Sequence, residues 1–243
     1  MFNTLPPITR NIIILNVIVF VLFYLLNSPE LYMKFAAFYP FSPFFKSWQV
    51  ITHMFMHGSF MHILFNMFTL FSFGPVLERT LGDKKYVILY FVSGLGAFFL
   101  FNAWNFYEVQ QIQSSLEGFG FNLEGFFSGE NVAFTGSAEA VLAQQELVNN
   151  LRSIISVPMV GASGAIFGII AAFATLYPDA EIGIMFIPIP VKVKYVLPVI
   201  IIGSIALGVS GNVGGIAHLA HVGGALVGFL LAKYWKNNRY RIN

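Results

Sequence analysis

The chain contains no cysteine, which excludes disulfides, thiol catalysis and thiolate metal sites and leaves any nucleophile to another residue type. Charge is also scarce: 10% of the 243 residues are Asp, Glu, Lys or Arg, against 57% hydrophobic, with a mean hydropathy of +0.73. So little polar content cannot clothe a water-soluble globule. Equally missing are the alternating pattern and ~10-residue segments of membrane β-strands, which sets a barrel aside. The first apolar run lacks a small-residue cleavage site and leads into aromatic sequence, so it is read as a retained helix rather than a signal peptide.

What is present is six apolar runs, each near the ~20 residues needed to cross a hydrocarbon core of ~30 Å. They cover approximately Ile12 to Leu26, Met61 to Leu77, Tyr86 to Trp104, Met159 to Leu176, Tyr195 to Val209 and Ile216 to Trp235. In lipid every backbone group needs an internal partner, so all six are expected to be helices and the fold an all-α membrane protein. Basic residues set the orientation. With the N-terminus inside, the inner segments hold Arg10, Arg79, Lys84, Lys85, Lys192, Lys194, Lys233, Lys236, Arg239 and Arg241, ten of the thirteen Lys and Arg. Only Lys34, Lys46 and Arg152 fall outside, which places both termini in the cytoplasm by the positive-inside rule. The basic tail directly follows the last run and reads as a topology and headgroup anchor, not as a nucleic-acid site.

The connections divide into three kinds. Phe35 to Trp48, rich in aromatics with Pro40 and Pro43, suits a membrane-interface loop. A long outer loop of approximately residues 105–158 carries six glutamates. Its later part spaces Val141, Val148, Leu151 and Ile155 as one face of an amphipathic surface helix, with Gln144, Gln145, Asn149 and Asn150 elsewhere. The third is the short segment Gly208 to Gly215, whose glycines suit unusual dihedrals and movement.

Polar groups inside membrane runs are costly and point to function or to a partner. Here they gather in the second, fourth and sixth runs. His62 and Asn66 are four apart and share a helical face. Ser163 lies in Gly161-Ala162-Ser163-Gly164, where small neighbours allow close approach, and His221 lies in His221-Val222-Gly223-Gly224. Gly224 and Gly228 form a small face able to meet Gly164 and Gly168. All three runs descend from the outside with these residues near their outer ends, so four residues spread over the chain can converge at one depth. A neutral histidine can take the proton of a serine. The Ser163 amide at a helix N-terminus, with His62 and Asn66, supplies donors for an oxyanion. No Asp or Glu lies in the three clusters, which favours a Ser163–His221 dyad over a triad.

Plainer readings exist for each motif. Gly164 to Gly168 is also a GxxxG packing pattern, and His218 reads as an interhelical hydrogen-bond partner. His53, His57 and His62 could bind a metal, but their spacing spans a loop-to-helix junction and no HExxH motif occurs. The serine does not sit in a Gly-x-Ser-x-Gly elbow, since Ala165 replaces the last glycine and no strand precedes it.

Taken in order, His57-Gly-Ser-Phe-Met-His62-Ile-Leu-Phe-Asn66, Gly161-Ala-Ser163-Gly164 and Ala220-His221-Val-Gly-Gly224 resemble the signatures of the rhomboid intramembrane serine proteases, specifically the bacterial six-helix form. The resemblance covers nearly the whole chain except the long outer loop. It implies a single rhomboid domain over residues 1–243, a six-transmembrane-helix bundle and a bacterial cytoplasmic-membrane location, with the active site opening externally. It further implies Ser163 as nucleophile, His221 as general base and oxyanion assistance from His62 and Asn66, with no cofactor and no metal. Glu78 and Gly82 fit the family's pattern at the cytoplasmic end of the second helix. The expected partners are the lipid bilayer and transmembrane segments with locally weak helices, entering sideways from lipid and unwinding before cleavage. One departure is visible: where the family often has Trp-Arg, this chain has Trp48-Gln49, which removes a fixed charge and its hydrogen-bond fork. A client-binding pseudoprotease and a transporter are the competing classes. Both Ser163 and His221 are present, against the first, and paired broken helices at the midplane are not evident, against the second.

Overall fold

The computed structural model describes residues 5–122, 125–126, 133–184, 187–195, 198–199, 201–202 and 216–238. The elements are α1 (Pro7–Leu26), α2 (Pro29–Phe35), α3 (Gln49–Thr52) running into a 3-10 turn (His53–Phe55), α4 (Phe60–Leu81) and α5 (Asp83–Gly118). They continue with α6 (Ala138–Ser156), α7 (Ser163–Leu176), strands β1 (Glu181–Ile184) and β2 (Ile187–Lys192), and α8 (Ile216–Asn237). Five of the six apolar runs are represented by α1, α4, α5, α7 and α8. Most of Tyr195 to Val209, and the glycine-rich Gly208 to Gly215, lie outside the described residues. Among those described, α1, α4 and α5 are long and apolar enough to cross a membrane, and α7 is a shorter apolar helix. On α1 the burial is inverted relative to a soluble protein: Ile14, Ile18, Leu22 and Leu25 are exposed while Thr9 and Asn16 are buried, as expected where lipid is the solvent.

The chain divides into two compact units: residues 1–37, 46–101 and 159–243 form one, and residues 38–45 and 102–158 the other. The first unit holds the apolar core of Leu70, Leu77, Leu89, Tyr90, Ile169 and Ala172. Its lower end is fastened by one buried carboxylate. Glu78 accepts from the Ile8 amide at 2.8 Å, and from the Thr9 amide and Thr9 hydroxyl at 2.6 Å each. These amides belong to the first turn of α1, where backbone donors have no helical partner and the helix dipole favours an anion. The site is crowded: a Cβ at Gly74, one turn before Glu78, would run into the Tyr86 hydroxyl and Thr9. Gly82 then ends α4 at φ +77°, a conformation that suits only glycine without strain.

Helices α7 and α8 approach until backbone meets backbone. A Cβ on Gly224 would collide with the Gly164 carbonyl, and one on Gly228 with the Gly168 carbonyl. The glycine faces therefore meet in the register that their sequence spacing anticipates. In lipid, where no hydrophobic drive pairs helices, this close dispersion contact is the main source of association.

Two expectations need amendment. Replacing the family's Arg by Gln49 does not leave the first loop without a fork. Gln49 is fully buried, accepts from the Lys46 amide at 3.0 Å, and donates to the carbonyls of Met33 (3.3 Å) and Lys34 (3.4 Å). Trp48 adds a bond to the Lys34 carbonyl at 2.8 Å. A neutral amide thus replaces the hydrogen bonds, though not the charge. The mostly helical fold also contains an antiparallel hairpin, β1 pairing with β2 from Glu181↔Lys192 to Ile184↔Ile187. Ile182, Ile184, Ile187, Ile189 and Val191 supply the β-branched residues that strands favour. In a two-stranded ribbon each strand keeps one unpaired edge, which accommodates Pro188 and Pro190.

The second unit has its own core. Val109, Ile112 and Leu116 from the end of α5 pack with Val148, Leu151 and Ile154 of α6, together with Tyr39 and Phe121. The amphipathic face of α6 is as spaced, with one correction: Gln144 belongs to the buried side. Its amide donates to the Thr135 carbonyl at 2.7 Å and the Ala140 carbonyl at 3.1 Å, tying down the strand of chain that leads into the helix. Polarity alone places it outward; its two carbonyl partners account for the difference.

Two outcomes follow for the first unit. Glu78→Ala strands the Ile8 and Thr9 amides, while the Thr9 hydroxyl keeps the Tyr86 hydroxyl at 3.2 Å, so its unfolding midpoint in detergent should fall by the equivalent of about 2 kcal/mol or more, with Glu78→Gln intermediate; an unchanged midpoint would remove the carboxylate from this role. The second concerns His53, which lies between the spanning helices and is held by burial down to about 4 from the ordinary 6.5. The unfolded chain takes up a proton between those values that the fold refuses. Stability is therefore full above about pH 6.5 and declines toward pH 4, by on the order of 3 kcal/mol for this group. Denaturation midpoints across that range should show the slope, and His53→Asn should lessen it while leaving the share of His57, which burial also holds down to about 4.

Candidate active site

Ser163 is the first residue of α7 and its position is set by the segment before it. Met159 pairs with Ala37 through two backbone bonds of 2.7 and 3.0 Å, and the Gly161 amide donates to the His53 carbonyl at 2.9 Å. Gly161 itself is at φ +126°. An added Cβ there would come within 2.8 Å of His62 Nε2, so glycine is required both for the turn and for the imidazole beside it. The chain then enters the helix at Ala162 without a side-chain cap, which leaves the first-turn amides, that of Ser163 among them, without helical acceptors.

His221 lies in the second turn of α8. Its Nε2 is 3.0 Å from Ser163 Oγ, a hydrogen-bond distance that brings together residues 58 positions apart. The imidazole also lies flat on Phe167, with ring centroids 4.2 Å apart and planes within 1° of parallel. Phe167 is one turn beyond Ser163 on the same face of α7. The sequence reading missed it, although the i, i+4 spacing from the serine was available as a signal.

His62 and Asn66 come from the first two turns of α4, whose N-cap is Ser59 accepting from the His62 amide at 3.2 Å. Both line the same pocket as Ser163, Phe167 and His221, a cavity of about 350 Å³ with apolar walls from Phe65, Ile166 and Ile170. The structure therefore brings all four expected site residues to one cavity. Asn66 is buried, and its Nδ2 finds no hydrogen-bond partner among the described residues. Orphaned buried donors are rare in folded proteins and call for a reason such as an incoming acceptor.

Behind His62 stands His57, the two rings edge to face with centroids 5.0 Å apart. Burial chiefly, and the neighbouring His62 secondarily, push the His57 imidazole down to about 4, so it is neutral near pH 7. His53, His57 and His62 do not assemble into a three-ligand metal group among the described residues. For His218 only the backbone, within α8, is described.

Apolar helices of spanning length, exposed apolar side chains and a serine–histidine pair in a cavity between helices define a multi-pass integral membrane protein of mostly helical fold. The model of one family, the rhomboid domain, matches residues 45–237. The chain belongs to the rhomboid family, whose members are in general serine intramembrane proteases acting on membrane-protein substrates within the bilayer.

Phe167→Ala removes the surface on which the His221 ring rests while leaving the ring in place. Turnover should fall by about tenfold with KM little changed, and Phe167→Tyr should restore it; the expectation fails if KM alone moves.

Proposed function

We propose that this chain is an intramembrane serine endopeptidase that cleaves transmembrane segments of membrane proteins through a Ser163–His221 dyad. The observation that carries the reading is the 3.0 Å approach of His221 Nε2 to Ser163 Oγ in a cavity shared with His62 and Asn66. His221 takes the serine proton as Oγ attacks the scissile carbonyl, and a tetrahedral oxyanion forms. His62, the Asn66 amide and the Ser163 backbone N–H stabilise that oxyanion. The imidazolium then passes its proton to the departing amine, leaving an acyl-enzyme. Water, deprotonated by His221, attacks the ester; collapse of the second tetrahedral intermediate frees the acid and returns the proton to Ser163. Only fixed donors and one base are required, so the reaction proceeds without cofactor or metal.

In this reading residues 1–243 form one rhomboid domain of six transmembrane helices in a bacterial cytoplasmic membrane, with the fifth of them supplied by Tyr195 to Val209. Both termini are cytoplasmic and the cavity opens externally, as the distribution of ten of thirteen basic residues favours. Substrate helices enter from lipid and unwind locally, because a peptide bond inside a stable helix is hydrogen-bonded and shielded.

Detergent-solubilised protein incubated with a transmembrane reporter should yield specific fragments by mass spectrometry, and Ser163→Ala should yield none. His62→Ala and Asn66→Ala should each lower turnover by on the order of 100-fold. Equal fragments from Ser163→Ala and the unmodified protein would overturn the reading.

A further inference from the structure

A second cavity among the described residues, larger than that around Ser163, has no part in the proposed chemistry. It lies wholly within the second unit, between the aromatic segment 39–44, the end of α5 and α6, and has a volume of about 840 Å³. We infer that it is a binding site for a membrane phospholipid with an anionic headgroup, the phosphate held by Arg152 and the acyl region lying on Phe41, Phe44 and Phe106.

Arg152 is the only Lys or Arg between residues 102 and 158, a stretch with six glutamates. A lone cation in acidic surroundings would ordinarily be drawn to a carboxylate. Arg152 makes no ion pair with a described residue; its guanidinium lies over the Phe126 ring, 5.5 Å from the centroid, at the wall of the cavity. A planar cation resting on an aromatic face keeps N–H donors available for the paired oxygens of a phosphate.

The opposite wall of the cavity is aromatic. Phe41, Phe44 and Phe106 are 74%, 48% and 46% exposed, and Phe41 packs against Phe106 with centroids 6.0 Å apart. This is an ordered wall rather than scattered side chains. The Ser42 hydroxyl accepts from the Phe44 amide at 3.2 Å and donates to the Ile155 carbonyl at 2.8 Å, which fixes the aromatic segment to the end of α6. The volume falls in the range of small-molecule sites, ~300 to 1,000 Å³.

Helix α5 has 36 residues, about 54 Å at 1.5 Å per residue, against a hydrocarbon thickness of ~30 Å. Counted from Lys84 and Lys85, twenty residues reach Trp104 to Tyr107, whose rings lie 5.6 Å apart as an interfacial aromatic pair. Phe106 and Val109, on the α5 side of the cavity, therefore fall at headgroup level, where a phospholipid presents phosphate and glycerol together with the first part of its chains.

Native mass spectrometry of the full chain, stripped of lipid and titrated with phosphatidylglycerol or phosphatidylcholine of equal chain length, tests this. One phosphatidylglycerol should bind in preference to phosphatidylcholine. Arg152→Gln should weaken phosphatidylglycerol by about tenfold, with Arg152→Lys between. Phe41→Ser should weaken both lipids. Because the Arg152 side chain is exposed, the unfolding midpoint of Arg152→Gln serves as the folding control. Equal affinity for the two lipids, or phosphatidylglycerol binding that survives Arg152→Gln, would overturn the proposal. So would saturation of the cavity by a juxtamembrane substrate peptide that phosphatidylglycerol cannot displace.

Discussion

Everything in the candidate site rests on two helices touching without side chains between them. Gly164 and Gly168 of α7 face Gly224 and Gly228 of α8 so closely that a methyl group at either of the latter would strike a carbonyl. Ser163 is next to the first of these contacts and His221 is three residues before the second partner, so the helix spacing fixes the distance from Oγ to Nε2. A larger residue in the seam would push the axes apart by ångströms, and a proton transfer across 3.0 Å does not survive that. Small residues serve lipid-phase packing and, on the proposed mechanism, the reaction geometry at once, which makes the packing and chemical readings of Gly161 to Gly168 complementary rather than rival.

The other constraints limit what the glycine seam leaves free. α7 can rotate or slide on α8 unless its entry is pinned, and the Gly161–His53 and Met159–Ala37 backbone bonds pin it. Glu78 holds the start of α1 against α4, and α4 in turn carries His62 and Asn66. A buried carboxylate is tolerable there because three donors surround it, two of them amides at a helix N-terminus. The three site-bearing helices are thus located by backbone contacts and one ion, none of which is a catalytic candidate itself.

Much of this was legible in the sequence, for identifiable reasons. Hydrocarbon thickness gives apolar runs a required length, so α1, α4, α5, α7 and α8 were recognisable. Polar residues in lipid are expensive, so His62, Asn66, Ser163 and His221 stood out. What escaped had no such amplifier. Phe167 is an aromatic in an apolar helix and looks like any other until the ring on top of it is known. Gln144 reads as surface because its burial depends on the Thr135 backbone, which no periodicity encodes. The hairpin escaped because its apolar residues merge with the flanking runs, and its prolines are tolerable only once the sheet is known to have two strands. The boundary of α5 was placed where hydrophobicity ends, whereas the helix continues for fourteen residues beyond Trp104 to Gly118. That extension is amphipathic, and its stability comes from packing on α6, a partner far along the chain.

That extension belongs to a core of its own. The core of the second unit uses Val109, Ile112, Leu116, Val148, Leu151 and Ile154, and shares no residue with the core that contains Ile166 and Ile169. Two separate clusters can gain or lose stability independently, since coupling between sites requires shared partners or a shared two-state element. Substitutions confined to α6 can therefore change the packing of the second core without altering the spacing of Ser163 and His221. The exception is α5, the one helix common to both units: Ala97 and Gly96 approach Gly164 and Gly223 at one end, while Val109 and Leu116 serve the other core.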